Sequence, residues 1–305
     1  MEKIVVVTRK TRLQELVERF NTQGQAKFYI EHAGGNFAEY EQENDAYARS
    51  LEVIQKSLDL ELKLQFIDRG FLPTFVFTKD DLMITVGQDG LVANTAKYVK
   101  GQPIIAVNPD PERFDGVLLP FAPAEARRAA TAVLCGKAQM QAVTMAEASF
   151  NDGQRMLAFN DLFVGVRTHV SARYNIRLGE HGEAQSSSGV LISTGAGSTG
   201  WLSSVFNMAR GVASLTGGRS GDGIRMKWDD PRLAFVVREP FISRHSSAGI
   251  VAGMIAQGQE LLLESTVPSG GCVFSDGIEN DFVEFNSGSI AHIRAASQSA
   301  QLVVK

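Results

Sequence analysis

Three short stretches of the sequence carry side chains that could bind phosphates or sugar hydroxyls. The first, Gly87-Gln88-Asp89-Gly90, separates an apolar strand-like run from a helical pattern. Glycines permit close backbone approach, and the helix that follows offers unpaired N–H groups and the positive end of its dipole to an anion. The stretch therefore predicts a phosphate site that includes Gly87, Gln88 and Gly90.

Asp89 is the unusual member of this stretch, because a carboxylate repels phosphates unless it binds a cation or accepts a proton. The residue is therefore a candidate catalytic group, either as a base or as an organiser of Mg²⁺, which prefers oxygen ligands. The alternative is a helix N-cap at a strand-to-helix turn. No metal ligands are assigned directly, although Asp89 could serve as one.

The second stretch, Ala158–Val166, places Asn160 and Asp161 next to each other within an apolar run. A carboxylate can accept two hydroxyl hydrogens, while an amide both donates and accepts, so the pair could bind a vicinal diol. A β-bulge or a turn is the structural alternative.

The third stretch, Gly189–Ser204, contains the letters GAGSTG, which have the glycine spacing of a dinucleotide-binding turn. A Rossmann unit would continue to a second strand that ends in an acidic residue. Here the chain enters a glycine-rich loop at Ser214–Gly223 instead, which argues against an NAD-dependent oxidoreductase. Small residues packed around a phosphate or ribose, with a ring for stacking, are predicted at Thr194, Gly197, Ser198, Thr199 and Trp201.

The pattern of predicted secondary structure, which must position these residues, changes near residue 137. Before it, short apolar runs alternate with helical patterns, which predicts a parallel sheet covered by helices. After it, short β-like runs separated by turn residues predict a mainly β domain, with a hairpin at Asn151-Asp152-Gly153. The predicted domains are residues 1–137 and 138–305, and a chain end could cross back between them.

Individual elements of the first domain follow from the same patterns. Strands are predicted at Ile4–Val7, Lys27–Ile30, Leu62–Ile67, Leu82–Val86 and Pro103–Val107. Helices are predicted at Arg12–Phe20, Phe37–Leu58, Leu91–Val99 and Ala122–Cys135.

Composition narrows the classes of protein. The 305 residues are 44% apolar and 21% charged, as in soluble two-domain proteins, and the net charge of −4 argues against nucleic acid as a partner. The apolar runs are too short to span a membrane. A strand-like run begins at Ile4, with no signal peptide, and Cys135 and Cys272 are predicted to be buried thiols. We therefore expect a cytoplasmic protein without a membrane partner.

The three stretches, in this order, resemble the motifs of the NAD kinase family, within the superfamily that also contains diacylglycerol and sphingosine kinases. Gly87-Gln88-Asp89-Gly90 resembles the family's Gly-Gly-Asp-Gly motif, and Asn160-Asp161 resembles its Asn-Glu/Asp pair. Ser193–Trp201 resembles the Thr-Pro-Thr-Gly-Ser-Thr-Ala-Tyr loop. Ala106–Phe121 is similar to the mitochondrial-type branch, and Asp276-Gly277 resembles a late Asp-Gly segment.

The resemblance implies an α/β nucleotide-binding domain at residues 1–137 and a β-rich, sandwich-like NAD-binding domain at residues 138–305, with substrate between them. It also implies transfer of a phosphoryl group from ATP, with Mg²⁺, to the 2′-hydroxyl of the adenosine ribose of NAD. Asp89 would be catalytic, Asn160 and Asp161 would hold the diol, and Asp276 would contribute to binding. The family further implies a homodimer or homotetramer.

Departures from the family pattern keep alternatives open. Gln88 stands where the family has glycine and Leu91 where it has threonine, so the donor is ATP or polyphosphate, and the acceptor is NAD, NADH or another alcohol. One alternative is a superfamily kinase that acts on a sugar or a lipid. Another is a non-catalytic dinucleotide-binding protein, in which Gln88 blocks ATP.

Overall fold

The computed structural model describes residues 1–219 and 221–305; Ser220, within the predicted Ser214–Gly223 loop, lies outside the described residues. The chain forms two compact units, the first from Met1–Gln141 with Gln301–Lys305 and the second from Ala142–Ala300. Unit 1 is α/β and unit 2 is β-rich, which confirms the predicted fold class. The limits 1–137 and 138–305, with their binding roles, stay predictions.

Unit 1 is built on a parallel sheet in the order β2-β1-β3-β4. Its strands are β1 (Lys3–Thr8), β2 (Lys63–Asp68), β3 (Asp81–Val86) and β4 (Pro103–Val107). Its helices are α1 (Arg12–Phe20), α2 (Gln23–His32), α3 (Phe37–Ser57), α4 (Asp89–Tyr98) and α5 (Ala126–Leu134), with 3-10 turns at Arg69–Thr74 and Pro123–Glu125.

Both faces of this sheet are covered. Ile4, Leu82 and Ile84 belong to a buried cluster with Tyr47 and Ile54 of α3, and residues of α5 complete it. Successive residues of a strand point to opposite faces, so the alternate residues of β1 and β3 point the other way. Helix α4 packs on β1, β3 and β4 without joining the α3 cluster, so it covers this second face.

Two predictions about unit 1 were wrong. Lys27–Ile30 is not a strand but part of α2, because Thr22 caps that helix and the buried residues Ala26 and Ile30 lie one turn apart. A run of four residues, three of them apolar, is too short to show either the helical or the strand period. Cys135 is exposed just after α5, whereas Cys272 is buried as expected.

Unit 2 contains an antiparallel six-stranded sheet in the order β12-β11-β10-β7-β14-β15. Its strands are β7 (Asp161–Val166), β10 (Val190–Ser193), β11 (Leu233–Val237), β12 (Ala252–Ile255), β14 (Gly271–Ser275) and β15 (Phe282–Glu284). The other strands are β5 (Gln139–Phe150), β6 (Arg155–Ala158), β8 (Ala172–Leu178), β9 (His181–Ser187), β13 (Leu261–Ser265) and β16 (Ile290–Val304). Helix α6 (Trp201–Leu215) follows a 3-10 turn at Gly197–Thr199.

The last strand, β16, contributes to both units. Its first residues pair with β13 in unit 2, where Ile293 lies opposite Leu261. Its later residues Gln301 and Leu302 pair in parallel with Pro103 and Ile104 of β4 in unit 1. Unit 1 therefore depends on a segment that follows unit 2 in sequence.

The hairpin predicted at Asn151-Asp152-Gly153 is present between β5 and β6, with Gly153 at a φ of 88°. The strands β6 and β7 that follow this turn are separated by Phe159 and Asn160. This break places Asp161 at the first position of a buried strand. Among residues 1–219 and 221–305, no helix is both long enough and apolar enough to pass through a bilayer.

Candidate functional site

The phosphate loop predicted in unit 1 lies between β3 and α4. Gly87 is buried, and an added Cβ would lie 2.8 Å from Leu91 Cδ2, so a side chain here would require Leu91 to shift. At Gly90, in the first turn of α4, no atom lies within 4 Å of an added Cβ, so that side of the helix end is open. Gln88 is the N-cap residue, but its exposed side chain makes no capping hydrogen bond. The Leu91 N–H donates to the Gln88 carbonyl at 2.9 Å, so the N–H groups of Asp89 and Gly90 are those available to an anion.

Asp89 is half-buried at the first helical position of α4, rather than at the N-cap. Its Oδ1 accepts a hydrogen bond from the backbone N–H of Leu118 at 2.9 Å. Leu118 lies in the loop after β4, within the Ala106–Phe121 segment, and nothing in the sequence pattern indicated this contact. The hydrogen bond fixes the orientation of the carboxylate beside the N–H groups of α4.

The residues around Asp89 fit a metal ion that arrives with a nucleotide rather than a metal site made by protein alone. Within the described ranges, no group of three His, Cys, Asp or Glu side chains could hold a metal. Mg²⁺ is commonly bound by one or two carboxylates together with substrate phosphates. Asp89 provides one such carboxylate.

In unit 2, Asp276 holds the turn that carries the predicted diol-binding residues. Its carboxylate accepts backbone N–H groups from Phe159 at 3.0 Å, Asn160 at 2.6 Å and Asp161 at 3.2 Å. The Asp276 N–H in turn donates to the carbonyl of Asp161 at 2.9 Å, and the residue has a φ of 54°. These contacts position the turn, and a direct contact of Asp276 with a ligand stays a prediction.

Two hydroxyls predicted to bind ligand shape the adjoining loop. Thr194 Oγ1 donates to the carbonyl of Phe159 at 2.6 Å and accepts from the Gly197 N–H at 3.2 Å. Ser198 Oγ donates to the carbonyl of Gly195 at 2.7 Å and accepts from the Met226 N–H at 3.2 Å. Both side chains therefore hold the loop against its neighbours.

Asp161 is a buried acidic group with a raised pKa. The residue is 9% exposed, and its Oδ1 has no hydrogen-bond partner among the described residues. Burial raises the pKa of Asp161 to about 7; hydrogen bonding with Ser193 opposes this rise, and the nearby carboxylate of Asp276 adds to it. An unmatched buried acceptor is costly, and a hydroxyl donor from a ligand would satisfy it.

Gly197 packs directly against the two predicted diol-binding residues. An added Cβ would lie 2.3 Å from the carbonyl oxygen of Asn160 and 2.7 Å from Asp161 Oδ1. The missing side chain is therefore what allows the 3-10 turn to close over Asp161.

We expect Gly197→Ala to lower the free energy of unfolding by about 1–3 kcal/mol, because the turn or the strand must shift to relieve the clash. Denaturant titration and thermal melting would measure this. The matched control is Gly211→Ala in α6, where no atom lies within 4 Å of an added Cβ. Alanine favours a helix interior, so the control should be neutral or gain up to about 1 kcal/mol. Equal losses in both variants would contradict the packing argument.

Next to Asp161 on the same face of the sheet lies a cavity of about 560 Å³ with aromatic walls. Phe163, two residues after Asp161 on β7, stacks on Trp201 with ring centres 5.7 Å apart and an angle of 16°. The guanidinium of Arg238 lies 5.6 Å from the centre of the Trp201 ring. Flat rings beside a guanidinium suit an aromatic base attached to phosphates. Other residues that line the cavity include Arg167, His169, Ser188, Phe274, Glu279 and Phe282.

A smaller cavity of about 340 Å³ lies beside Thr199, the exposed end of the same loop. Ser203 of α6, Arg210 and Arg225 also line it. Hydroxyls and guanidinium groups together suit an anion.

The structure thus brings the predicted residues of each unit together. Unit 1 gathers Gly87, Gln88, Asp89 and Gly90 at the start of α4. Unit 2 gathers a cluster around Asp161, and three further predicted residues line cavities next to it. The cluster comprises Asn160, Asp161, Thr194, Gly197 and Asp276, and the cavity residues are Ser198, Thr199 and Trp201.

Comparison with known proteins supports a shared fold. No family model and no curated protein matches the sequence of this chain. Among solved structures, a yeast NADH kinase complexed with NADH matches with a TM-score of 0.59 and 17% identity, over 100% of this chain and 84% of that one. An NAD kinase from Archaeoglobus fulgidus in complex with ATP matches with a TM-score of 0.56 and 16% identity, over 98% of this chain and 93% of that one.

Proposed function

We propose that this chain, which has the NAD kinase fold, transfers the γ-phosphoryl group of ATP to the 2′-hydroxyl of the adenosine ribose of NAD or NADH. The observation that carries the proposal is Asp161 Oδ1, a buried acceptor without a partner among the described residues, next to Asn160 in the turn held by Asp276. The likeness to an NADH kinase and an NAD kinase supports the same acceptor.

On the acceptor side, Asp161 and Asn160 would hold the two ribose hydroxyls. The ionised carboxylate accepts hydrogen bonds from both hydroxyls, and the amide of Asn160 can donate to one of them. The cavity of about 560 Å³ lined by Phe163 and Trp201 would receive an aromatic ring of the dinucleotide. Since the pKa of Asp161 is about 7, ribose binding to the ionised form should strengthen as pH rises through neutrality.

On the donor side, the N–H groups that open α4 would bind phosphate oxygens, and Gly87 and Gly90 keep this surface free of side chains. Asp89 would orient the triphosphate through Mg²⁺ or accept the hydroxyl proton. In the reaction the 2′-oxygen forms a bond to the γ-phosphorus, the bond to the bridging β–γ oxygen breaks, the hydroxyl proton passes to a base, and ADP leaves. When bound, Mg²⁺ neutralises charge on the β- and γ-phosphates.

The experiment is to supply purified protein with MgATP and either NAD or NADH, and to measure NADP or NADPH with a dehydrogenase that accepts only the phosphorylated cofactor. We expect product with ATP, with ADP formed in equal amount. Inorganic polyphosphate replaces ATP in a parallel series. Gln88 stands where the family has glycine, so the phosphoryl donor is either ATP or polyphosphate. Glucose and diacylglycerol, each supplied in place of NAD, test a sugar and a lipid as alternative acceptors.

Two outcomes would contradict the proposal. Phosphorylation of a sugar or lipid without NADP formation would leave a kinase of a different acceptor. Tight NAD binding with no phosphoryl transfer from either donor would leave a dinucleotide-binding protein.

A further inference from the structure

Arg9, which the sequence motifs did not single out, follows the last residue of β1 at a special point of the sheet. The strands lie in the order β2-β1-β3-β4. After β1 the chain goes on to β2, on one side of the central pair, whereas after β3 it goes on to β4, on the other side. Helices α3 and α4, which follow these two strands, cover opposite faces. In open α/β sheets, ligands bind outside the carboxyl ends of the strands at such a switch point. Arg9 and Gly87 are the first residues beyond those two strand ends.

The backbone at this point is joined by one hydroxyl. Tyr47 of α3 accepts a hydrogen bond from the Arg9 N–H at 2.9 Å and donates one to the Val86 carbonyl at 2.9 Å. Burial raises the pKa of Tyr47 to about 12, so its hydroxyl stays protonated and can donate. Tyr47 therefore fixes the end of β1 against the end of β3.

The side chain of Arg9 crosses Gly87. Its Cδ lies 3.6 Å from the position that a Cβ on Gly87 would take. The Nε atom, bonded to that Cδ, is buried and has no hydrogen-bond partner among the described residues. The whole side chain is 10% exposed. A buried donor without a partner costs about 1–3 kcal/mol, which a ligand acceptor beside Gly87 would recover.

Arg9 shares the carboxylate of Glu43 with a second guanidinium group. Arg9 Nη2 donates to Glu43 Oε1 at 3.0 Å, and Arg12 Nε donates to the other oxygen of the same carboxylate. Burial raises the pKa of Glu43, but hydrogen bonds and charges from Arg12 and Arg9 outweigh it, so the net pKa is lowered. One ionised carboxylate thus faces two guanidinium groups. Arg12 is 48% exposed, whereas Arg9 lies beside the phosphate loop.

We propose that Arg9, positioned by Glu43 and Tyr47, is a ligand for the polyphosphate of the donor nucleotide. The inference rests on the proposed function, because it names a residue that the donor site of that reaction would use. Its physical basis is the unmatched Nε donor beside Gly87, together with the N–H groups that open α4 next to it. Arg9 would bind phosphate oxygens next to those bound by the helix.

The test is equilibrium binding of ATP, and of inorganic tripolyphosphate alone, to Arg9→Met in the absence of NAD. Methionine keeps most of the length and apolar contact of arginine while it removes the charge and the Nε donor. We expect ATP and tripolyphosphate affinities to fall about tenfold or more, as for the loss of a charged hydrogen bond. NAD affinity should stay within about twofold. Arg12→Met, which removes the other partner of Glu43, is the matched control and should leave both affinities within about twofold.

Arg9→Lys is the second variant, used if Arg9→Met does not fold. It keeps a cation but has no donor at the Nε position, so we expect ATP affinity between that of Arg9→Met and that of the unaltered protein. Unchanged ATP affinity in the folded Arg9 variant would overturn the inference, and so would an equal loss in Arg12→Met.

The binding assay separates this inference from the proposed function. ATP binding that depends on Arg9 supports the inference even when no NADP forms. NADP formation together with unchanged ATP affinity in the Arg9 variants refutes the inference alone. Unaltered protein that binds neither ATP nor tripolyphosphate overturns it as well.

Discussion

Asp89→Asn should lower kcat for NADP formation by about 10²–10⁴-fold, the range for loss of a general base or of a carboxylate that organises the donor. Asparagine has nearly the same shape, and its Oδ1 can still accept the Leu118 N–H that holds the aspartate at 2.9 Å. The loop should therefore keep its conformation while charge and basicity are lost. Steady-state kinetics with ATP and NAD varied in turn, together with thermal melting, would measure both effects.

The matched control is Asp80→Asn, which removes the same charge next to the opposite end of β3. The control should keep kcat within about twofold, because Asp80 lies where the strand begins and the phosphate loop lies where it ends. If Asp89→Asn turned over within a few-fold of the unaltered protein, Asp89 would not be catalytic. If it lost its melting transition, a structural role would explain the loss.

Asp161→Asn should change both the pH dependence of stability and the affinity for NAD. An unfolded aspartate titrates near 3.8, whereas burial raises the pKa of Asp161 to about 7 in the folded chain. The folded chain therefore binds this proton more tightly, and stability from this group is fully present below pH 3.8 and lost as pH rises through 7. A difference of about 3 pKa units corresponds to about 4 kcal/mol. Asparagine stays neutral, so the variant avoids this loss.

We expect the free energy of unfolding of Asp161→Asn, relative to the unaltered protein, to rise by up to about 4 kcal/mol between pH 4 and pH 8. Denaturant titrations across this range measure it. NAD affinity at pH 8 should fall about tenfold or more, because a charged acceptor of two hydroxyls becomes a neutral amide. Calorimetry with NAD and with ATP, separately, would show whether the loss is confined to NAD.

Asp152→Asn is the control for the stability measurement. Asp152 lies in the exposed hairpin turn, where hydrogen bonds from Gln154 lower its pKa. Its ionised form therefore favours the folded chain, and the control should lose rather than gain relative stability as pH rises. A flat difference for Asp161→Asn would mean that Asp161 is not a buried acid with a raised pKa.

Much of the fold could be predicted because its signals are local. The alternation of apolar runs and helical patterns gave the parallel sheet of unit 1, and the Asn-Asp-Gly turn gave the β5–β6 hairpin. Lys27–Ile30 was assigned to the wrong element because a segment of four residues is too short to show a period. Tertiary packing makes this segment helical, because a helix buries Ala26 and Ile30, which lie one turn apart.

The residues of the candidate site could likewise be predicted only in part. Asp89 and Asp161 could be selected from residue type and neighbours, because a carboxylate between glycines or within an apolar strand needs an explanation. Arg9 and the Leu118 N–H could not be selected, because their positions depend on which strands are neighbours and on how the loop after β4 returns to α4. The positioning role of Asp276 likewise depends on a pairing between segments far apart in sequence.

The path of β16 has a consequence for synthesis of the protein. Residues 1–141 leave the ribosome first, but Gln301 and Leu302, which pair with β4, emerge only after all of unit 2. During translation, the β4 edge therefore remains without its partner while unit 2 is made. An uncovered strand edge can pair with the wrong chain. The sheet of unit 1 is thus completed only after unit 2 has been made, and for that interval the edge of β4 is exposed to misassembly.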